Sequence, residues 1–208
     1  MLSIFHTNEF FNLHDGSHYL QSGDTVLPVW IEDDIAYSPL RGTFGGFGGD
    51  VSLKDYEHLV DQLLLLGCKE YRIKLAPSSH DQEAFALAFN VLSRAGFKVI
   101  GQELNYDQRI EDEINLSESN AKRLRKIERM QFGAGGCPLE EAYPVIAENR
   151  ARKGRPISMS LLELQQMRDR IPQSVICYQV LSTTHGMVAA AICIDISRDI
   201  RYVFMWGD

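Results

Sequence analysis

No window of the 208 residues approaches the roughly 18 consecutive apolar residues of a membrane span. Met1 to Phe11 also lacks the basic stretch followed by an apolar run that marks a secretory signal, so a cytoplasmic chain is expected. Cysteine is scarce. Cys68, Cys137, Cys177 and Cys193 lie far apart, with no CxxC pair and no Cys/His spacing suited to zinc, so buried free thiols are expected. The histidines at 6, 14, 18, 58, 80 and 185 are scattered and none belongs to an HExxH motif, so no metal site is expected. Neither a Ser/His/Asp or Cys/His set nor a carboxylate pair stands at a recognisable spacing. An excess of one charge is missing too: 21 Lys and Arg against 28 Asp and Glu give a net charge of -7, which offers no global attraction to nucleic acid or to anionic lipid.

What is present is an ordinary globular composition, with 45% hydrophobic, 10% aromatic and 24% charged residues, which excludes a disordered or collagenous chain. The length exceeds one typical domain of roughly 100–150 residues and falls short of two comfortable ones. Thr25 to Pro39 reads as two strands around the turn Glu32-Asp33-Asp34. A glycine-rich stretch follows, Arg41-Gly-Thr-Phe-Gly-Gly-Phe-Gly-Gly49. Ser52 and Asp55 then form a capping-box signature, with Val51 and Tyr56 placed for a hydrophobic staple. The helix they open carries Leu53, Tyr56, Leu59, Val60, Leu63 and Leu64 on one face and stops at Gly67. Tyr71, Ile73 and Leu75 alternate with Arg72 and Lys74 as a strand does. A helix over 81–94 presents Phe85, Ala88, Phe89 and Leu92, and a further strand is expected from Phe97, continuing to Tyr106.

A glycine loop between a strand and a helix can present backbone N–H groups to a phosphate. This one lacks the GxGxxG spacing and the GxxxxGK[ST] lysine, so a loop that lines a substrate cleft or is structural stands beside an anion cradle. Tyr37, Arg41, Thr43, Phe44, Gly45, Gly46 and Phe47 are its candidate substrate-binding residues.

The middle of the chain changes sign: Asp107 to Glu118 holds five acids and one arginine, and Ser119 to Gln131 five bases and one acid. Asn120 to Phe132 is expected to be helical, with Leu124, Ile127 and either Met130 or Gln131 inward. It is either an RNA- or phosphate-binding face or a solvated helix paired with the acids before it. Gly133 to Gly136 reads as a flexible joint.

Beyond it, Leu139 to Lys153 is helical, with Ala142, Val145, Ile146 and Asn149 on one side. Pro144 either lies in its first turn or kinks it. Ser160 and Glu163 form another capping box, and three strands follow at 175–181, 187–196 and 200–206 as a meander.

Two helices leading into a three-strand meander, together with Glu148-Asn-Arg-Ala-Arg-Lys-Gly154, Met187-Val-Ala-Ala-Ala-Ile-Cys-Ile194 and Arg201-Tyr-Val-Phe-Met-Trp-Gly-Asp208, resemble the second half of GNAT-like N-acyltransferases related to the Fem-type peptidyltransferases. The glycine stretch is similar to that of their first half, and the basic helix to their connector. The resemblance implies an α/β (α+β) fold of tandem GNAT-like units. Residues 1–118 would be the first half, 119–136 the connecting helix and joint, and 137–208 the start of the second. It also implies transfer of an acyl or aminoacyl group from acyl-CoA or aminoacyl-tRNA, without a metal, to an amine of a cell-wall or polysaccharide precursor.

Substrate contacts would fall on Asn149, Arg150 and Lys153, and catalytic roles on Tyr202, Trp206 and Asp208. The family pattern continues past the strand at 202–206, so a truncated second unit is expected. The edge Ile200 to Trp206 would then be open to self-association or to a covering partner. A nucleotide-linked substrate and tRNA are the expected partners, and a non-catalytic binding module is the alternative.

Overall fold

A computed structural model describes residues 3–13, 17–40, 42–109, 116–130, 132–172 and 174–208. Arg41, Gln131 and much of the acidic run before the basic helix lie outside the described residues. The class is mixed α and β, as expected, with two separate four-stranded sheets. The chain divides into one unit of Met1–Asn105, Gln166–Ser174 and Asp195–Arg201, and another of Tyr106–Gln165, Val175–Ile194 and Tyr202–Asp208.

The first unit opens with a short 3-10 turn, Ile4–His6, and α1, Asn8–Phe11, capped by the Thr7 hydroxyl, which accepts from the Phe10 N–H. Strands β1 (Ser17–Ser22), β2 (Thr25–Glu32) and β3 (Ile35–Ser38) form an antiparallel meander whose register pairs Ser17 with Trp30 and Glu32 with Ile35. The β2–β3 turn holds Asp33 and Asp34 in the left-handed region, at φ 52° and 65°. That is the backbone a two-residue hairpin needs to match the strand twist, and aspartate tolerates it better than most residues. Strand β1 has no counterpart in the sequence reading.

The chain then crosses through α2 (Leu53–Leu65) to β4 (Glu70–Ile73), which pairs parallel to β3, and on to α3 (Gln82–Arg94). Ser52 caps α2, its hydroxyl accepting from the Asp55 N–H. The Asp55 carboxylate accepts instead from Ser22 Oγ at 2.6 Å, tying the helix start to β1. Tyr56, Leu59, Val60 and Leu63 recur at helical spacing and pack against Leu27, Val29 and Ala36 of the sheet and Ala88, Val91 and Leu92 of α3. The other face of β2 carries Trp30 against Phe10 and Phe11. Strand β2 is therefore buried on both faces, and its sequence is continuously apolar where a surface strand would alternate.

Three details depart from expectation. Leu53 and Leu64 lie at the edge of the buried stripe of α2 and are nearly half exposed. Phe89 is 47% exposed and stacks on Phe85, while Val91 takes the buried place. Phe97 to Tyr106 forms no strand: the Phe97 N–H bonds back to the Leu92 carbonyl as part of the α3 terminus, and Val99, Ile100, Leu104 and Tyr106 are largely exposed. Its apolar residues occupy both parities of an extended chain, so no single face exists to bury.

In the second unit α4 (Glu118–Arg129) starts at Ser117, and none of its residues is buried. Leu124, Ile127 and Met130, expected inward, are 44–53% exposed. The expected joint is a strand, β5 (Phe132–Gly136), antiparallel to β6 (Val175–Ser182) from Phe132 opposite Ser182 to Gly136 opposite Tyr178. Glycine weakens a strand by its entropy, but its N–H and C=O pair as well as any other's.

Helix α5 (Leu139–Arg152) begins at Pro138 and carries Pro144 inside it, where the missing N–H removes one rung of the helix. Helix α6 (Leu161–Arg170) opens with a complete capping box: Ser160 N–H and Oγ–H each donate to Glu163 Oε2 at 2.7 Å, and Glu163 N–H donates to Ser160 Oγ at 3.3 Å. Strands β7 (Gly186–Ser197) and β8 (Ile200–Gly207) complete a sheet of order β5-β6-β7-β8, with β8 at the edge. Ala190, Ile192, Ile194 and Ile196 on one face of β7 are all buried.

Candidate functional site

The sequence singled out two groups of residues, one in each unit. In the first unit the glycine loop is packed tightly against the strand ends. Gly45 N–H donates to the Lys74 carbonyl at 2.7 Å, Gly48 N–H to the Val26 carbonyl at 2.9 Å and Gly46 N–H to Ser38 Oγ at 3.0 Å. These amides are taken by protein acceptors, so the anion-cradle reading loses its donors at all three positions. The glycines are there for close approach. A Cβ at Gly45 would stand 2.6 Å from the Pro39 nitrogen, and one at Gly48 2.4 Å from the His6 ring. Gly49 adds a φ of +92°, with the Asp24 carbonyl 1.9 Å from any Cβ.

The two phenylalanines of the loop are buried. Phe47 stacks on Tyr56 with centroids 4.2 Å apart, and Phe44 meets Phe5 and His80 edge to face. Tyr37 lies within β3 with the Arg72 guanidinium over its ring, and Thr43 is half-buried.

Phe44, Gly45 and Phe47 nevertheless line a shallow cleft, open to solvent, whose walls also include Ser3, His6, His80, Asp81 and Ala84. His6 is 3% exposed. Its Nδ1 lies 2.8 Å from Ser3 Oγ and 3.3 Å from the Ser3 backbone nitrogen. A backbone N–H can only donate, so Nδ1 is an acceptor and the neutral ring carries its proton on Nε2. Burial holds the imidazole's pKa down at about 4, against smaller upward effects of the Gly45 and Gly46 backbone, so the ring is neutral at pH 7. Among the described residues Nε2 meets no acceptor in good hydrogen-bond geometry and is shut off from solvent, with the Gly45 and Gly46 backbone beside the ring. The sequence reading passed over His6. Its one signal was Ser3 three residues earlier, the spacing at which a cap and its reciprocal partner meet.

In the second unit five of the expected residues converge. Asn149, Arg150 and Lys153 leave the last turns of α5 and, with Arg155 and Trp206, line a small open pocket. Gly207 brings β8 against the helix: a Cβ there would be 2.9 Å from the Ile146 Cα, so only glycine allows the approach. That contact delivers Asp208 to the helix end. Asn149 Nδ2 donates to the Asp208 backbone carbonyl and to its Oδ1, Arg152 donates to the carbonyl at 2.5 Å, and Lys153 Nζ lies 3.2 Å from Oδ1. The Lys153 hydrogen bond, with its charge, holds the Asp208 carboxyl below its ordinary range.

Lys153 Nζ also lies 5.6 Å from the centre of the Trp206 ring, which is 55% exposed. Arg150 and Arg155 make no ion pair among the described residues. The closing turn that carries Arg155 is built on Gly154 at φ 63°, with the Arg155 N–H bonded to the Arg150 carbonyl. Arg155 was not among the expected site residues. Tyr202 is half-buried further back on β8 and does not line the pocket.

Two arginines, a lysine and an exposed indole around a buried amide can hold an anion and stack a planar ring. Among the described residues no group of three His, Cys, Asp or Glu stands ready for a metal ion, and no helix is long and apolar enough to cross a membrane. Neither a protein-family model nor a curated protein matches the chain.

Proposed function

We propose that the protein is an N-acyltransferase acting in the cytoplasm, moving an acyl or aminoacyl group from acyl-CoA or aminoacyl-tRNA to an amine of a cell-wall or polysaccharide precursor. The pocket of Asn149, Arg150, Lys153, Arg155 and Trp206 holds the phosphorylated part of the donor or of a nucleotide-linked acceptor. The observation that carries this reading is the presence of two arginines with no ion-pair partner among the described residues, beside an exposed tryptophan in one concavity. Support also comes from the element order, which occurs twice: short helix, short helix, three-strand meander in the first unit, and α5, α6, β6, β7, β8 in the second. The tandem GNAT-like fold is part of the proposal.

In this scheme Arg150 and Arg155 bind phosphate oxygens and Trp206 stacks a base. Asp208, ionised and held by Lys153 and Asn149, is a weak base. It orients those two side chains rather than taking the amine's proton. That weakness favours the second reading, a module that binds the nucleotide-linked ligand without turning it over.

Calorimetry with acetyl-CoA, a nucleotide-sugar and a tRNA acceptor-stem oligonucleotide tests the anion site. Binding by one of them should weaken at least tenfold in Arg150→Glu plus Arg155→Glu, and should fall with added salt as phosphate contacts do. Salt-independent binding, or none, would reject it. Product formation from the ligand that binds separates the enzyme from the module.

A further inference from the structure

Helix α4 buries none of its residues, and its faces differ in chemistry. Lys122, Arg125, Lys126 and Arg129 recur at i, i+3, i+4 and i+7, the spacing that gathers side chains on one face. Leu124, Ile127 and the C-terminal cap Met130 recur at i, i+3 and i+6 on another, and they are 45%, 44% and 53% exposed. Arg123 stands one turn before Ile127, so the apolar stripe carries a cation of its own. The helix holds five bases against Glu118 and Glu128. Lys122 pairs with Glu118 at 2.8 Å, both side chains open to solvent, and Arg123, Arg125, Lys126 and Arg129 make no ion pair among the described residues.

We propose that α4 lies on an anionic lipid surface, with Leu124, Ile127 and Met130 turned toward the acyl boundary and the bases meeting headgroup phosphates. Two other partners use less of the helix. A protein groove would bury the stripe together with the Arg123 guanidinium, which is costly unless a carboxylate faces it. A nucleic-acid backbone would engage the bases and leave the apolar stripe in water. A lipid surface takes both, because long Lys and Arg side chains lay their methylenes along the apolar boundary and reach the phosphates with their charged ends. The net charge of -7 does not oppose this at close range: physiological salt screens charges beyond about 8 Å, and the bases nearest the surface set the attraction. None of these residues lines the pocket at the end of α5, so either site can fail without the other.

The whole chain is sedimented with vesicles of phosphatidylcholine alone and of phosphatidylcholine with about one third phosphatidylglycerol, at rising salt. Binding to the anionic vesicles should be about tenfold tighter than to the neutral ones and should weaken as salt is added. Arg125→Glu plus Arg129→Glu should remove that preference. Leu124→Gln plus Ile127→Gln, which leaves the bases in place, should weaken binding about tenfold. All four positions are exposed, so both variants should keep the fold, which circular dichroism checks. Equal affinity for the two kinds of vesicle overturns the proposal. So does a preference lost in the glutamate variant and kept in the glutamine one, the result expected of a nucleic-acid face. A preference abolished by Arg150→Glu plus Arg155→Glu would overturn it too, by moving the lipid contact to α5.

Discussion

His6 is where burial and ionisation conflict most openly. Its pKa is about 4 in the folded chain and near 6.5 when unfolded, so between those values the unfolded state holds more protons than the native one. Stability from this residue is therefore complete above about pH 6.5, is lost as pH falls toward 4, and levels off below that. The full span is on the order of 3 kcal/mol, since each pKa unit is worth about 1.4 kcal/mol. Urea unfolding at pH 7 and at pH 4.5, on the wild type and on His6→Phe, measures it: the variant should lose less stability on acidification than the wild type does. Equal losses would mean that His6 titrates normally. Nothing in the sequence announced this, because a lone histidine on an apolar segment shows its environment only after the glycine loop has folded over it.

At the level of elements, local chemistry was readable and burial less so. The capping pair Ser160 and Glu163 stands three residues apart before an apolar run, and both of its hydrogen bonds form. Replacing Glu163 by alanine removes the acceptor for the Ser160 backbone N–H, and the expected loss is about 1 kcal/mol, read by thermal or urea unfolding. No measurable loss would show the cap to be ornamental.

The meander of the second half, the hairpin at Asp33-Asp34 and the helix stop at Gly67 were legible for the same reason: turn and cap residues act within a few positions. The strand at 97–106 was misread because its apolar residues fall on both parities of an extended chain and so define no face to bury. Strand β5 was missed because glycines carry no pattern at all. The inward face expected of α4 failed on a similar ground. Leu124, Ile127 and Met130 do share a stripe, but a stripe does not name its cover. Asn149, Arg150 and Lys153, expected from the resemblance, do share one helix end and one pocket. The catalytic part assigned to Tyr202 came from family resemblance alone, and Tyr202 stays outside the pocket that its neighbours form.

For the molecule as a whole, the open edge at β8 is the feature most exposed to a second chain. Val203 is 54% exposed on it and Trp206 55%. An edge strand with apolar side chains invites pairing with another copy, and a lysine there is the usual deterrent. Sedimentation should show association that rises with protein concentration and is reduced in Val203→Lys. A wild type that stays monomeric across the concentration range would reject the edge as a contact.

The β5–β6 pair also fixes an order of events. Strands β1 to β3 are joined by tight turns and can zip together from their hairpins, whereas Phe132 meets Ser182 only after α5 and α6 have been placed between them. Closing so long a loop spends entropy before any contact repays it, and a strand of four glycine and alanine residues after Phe132 offers little side-chain reward on arrival. Strand β5 is therefore expected to pair last in its sheet.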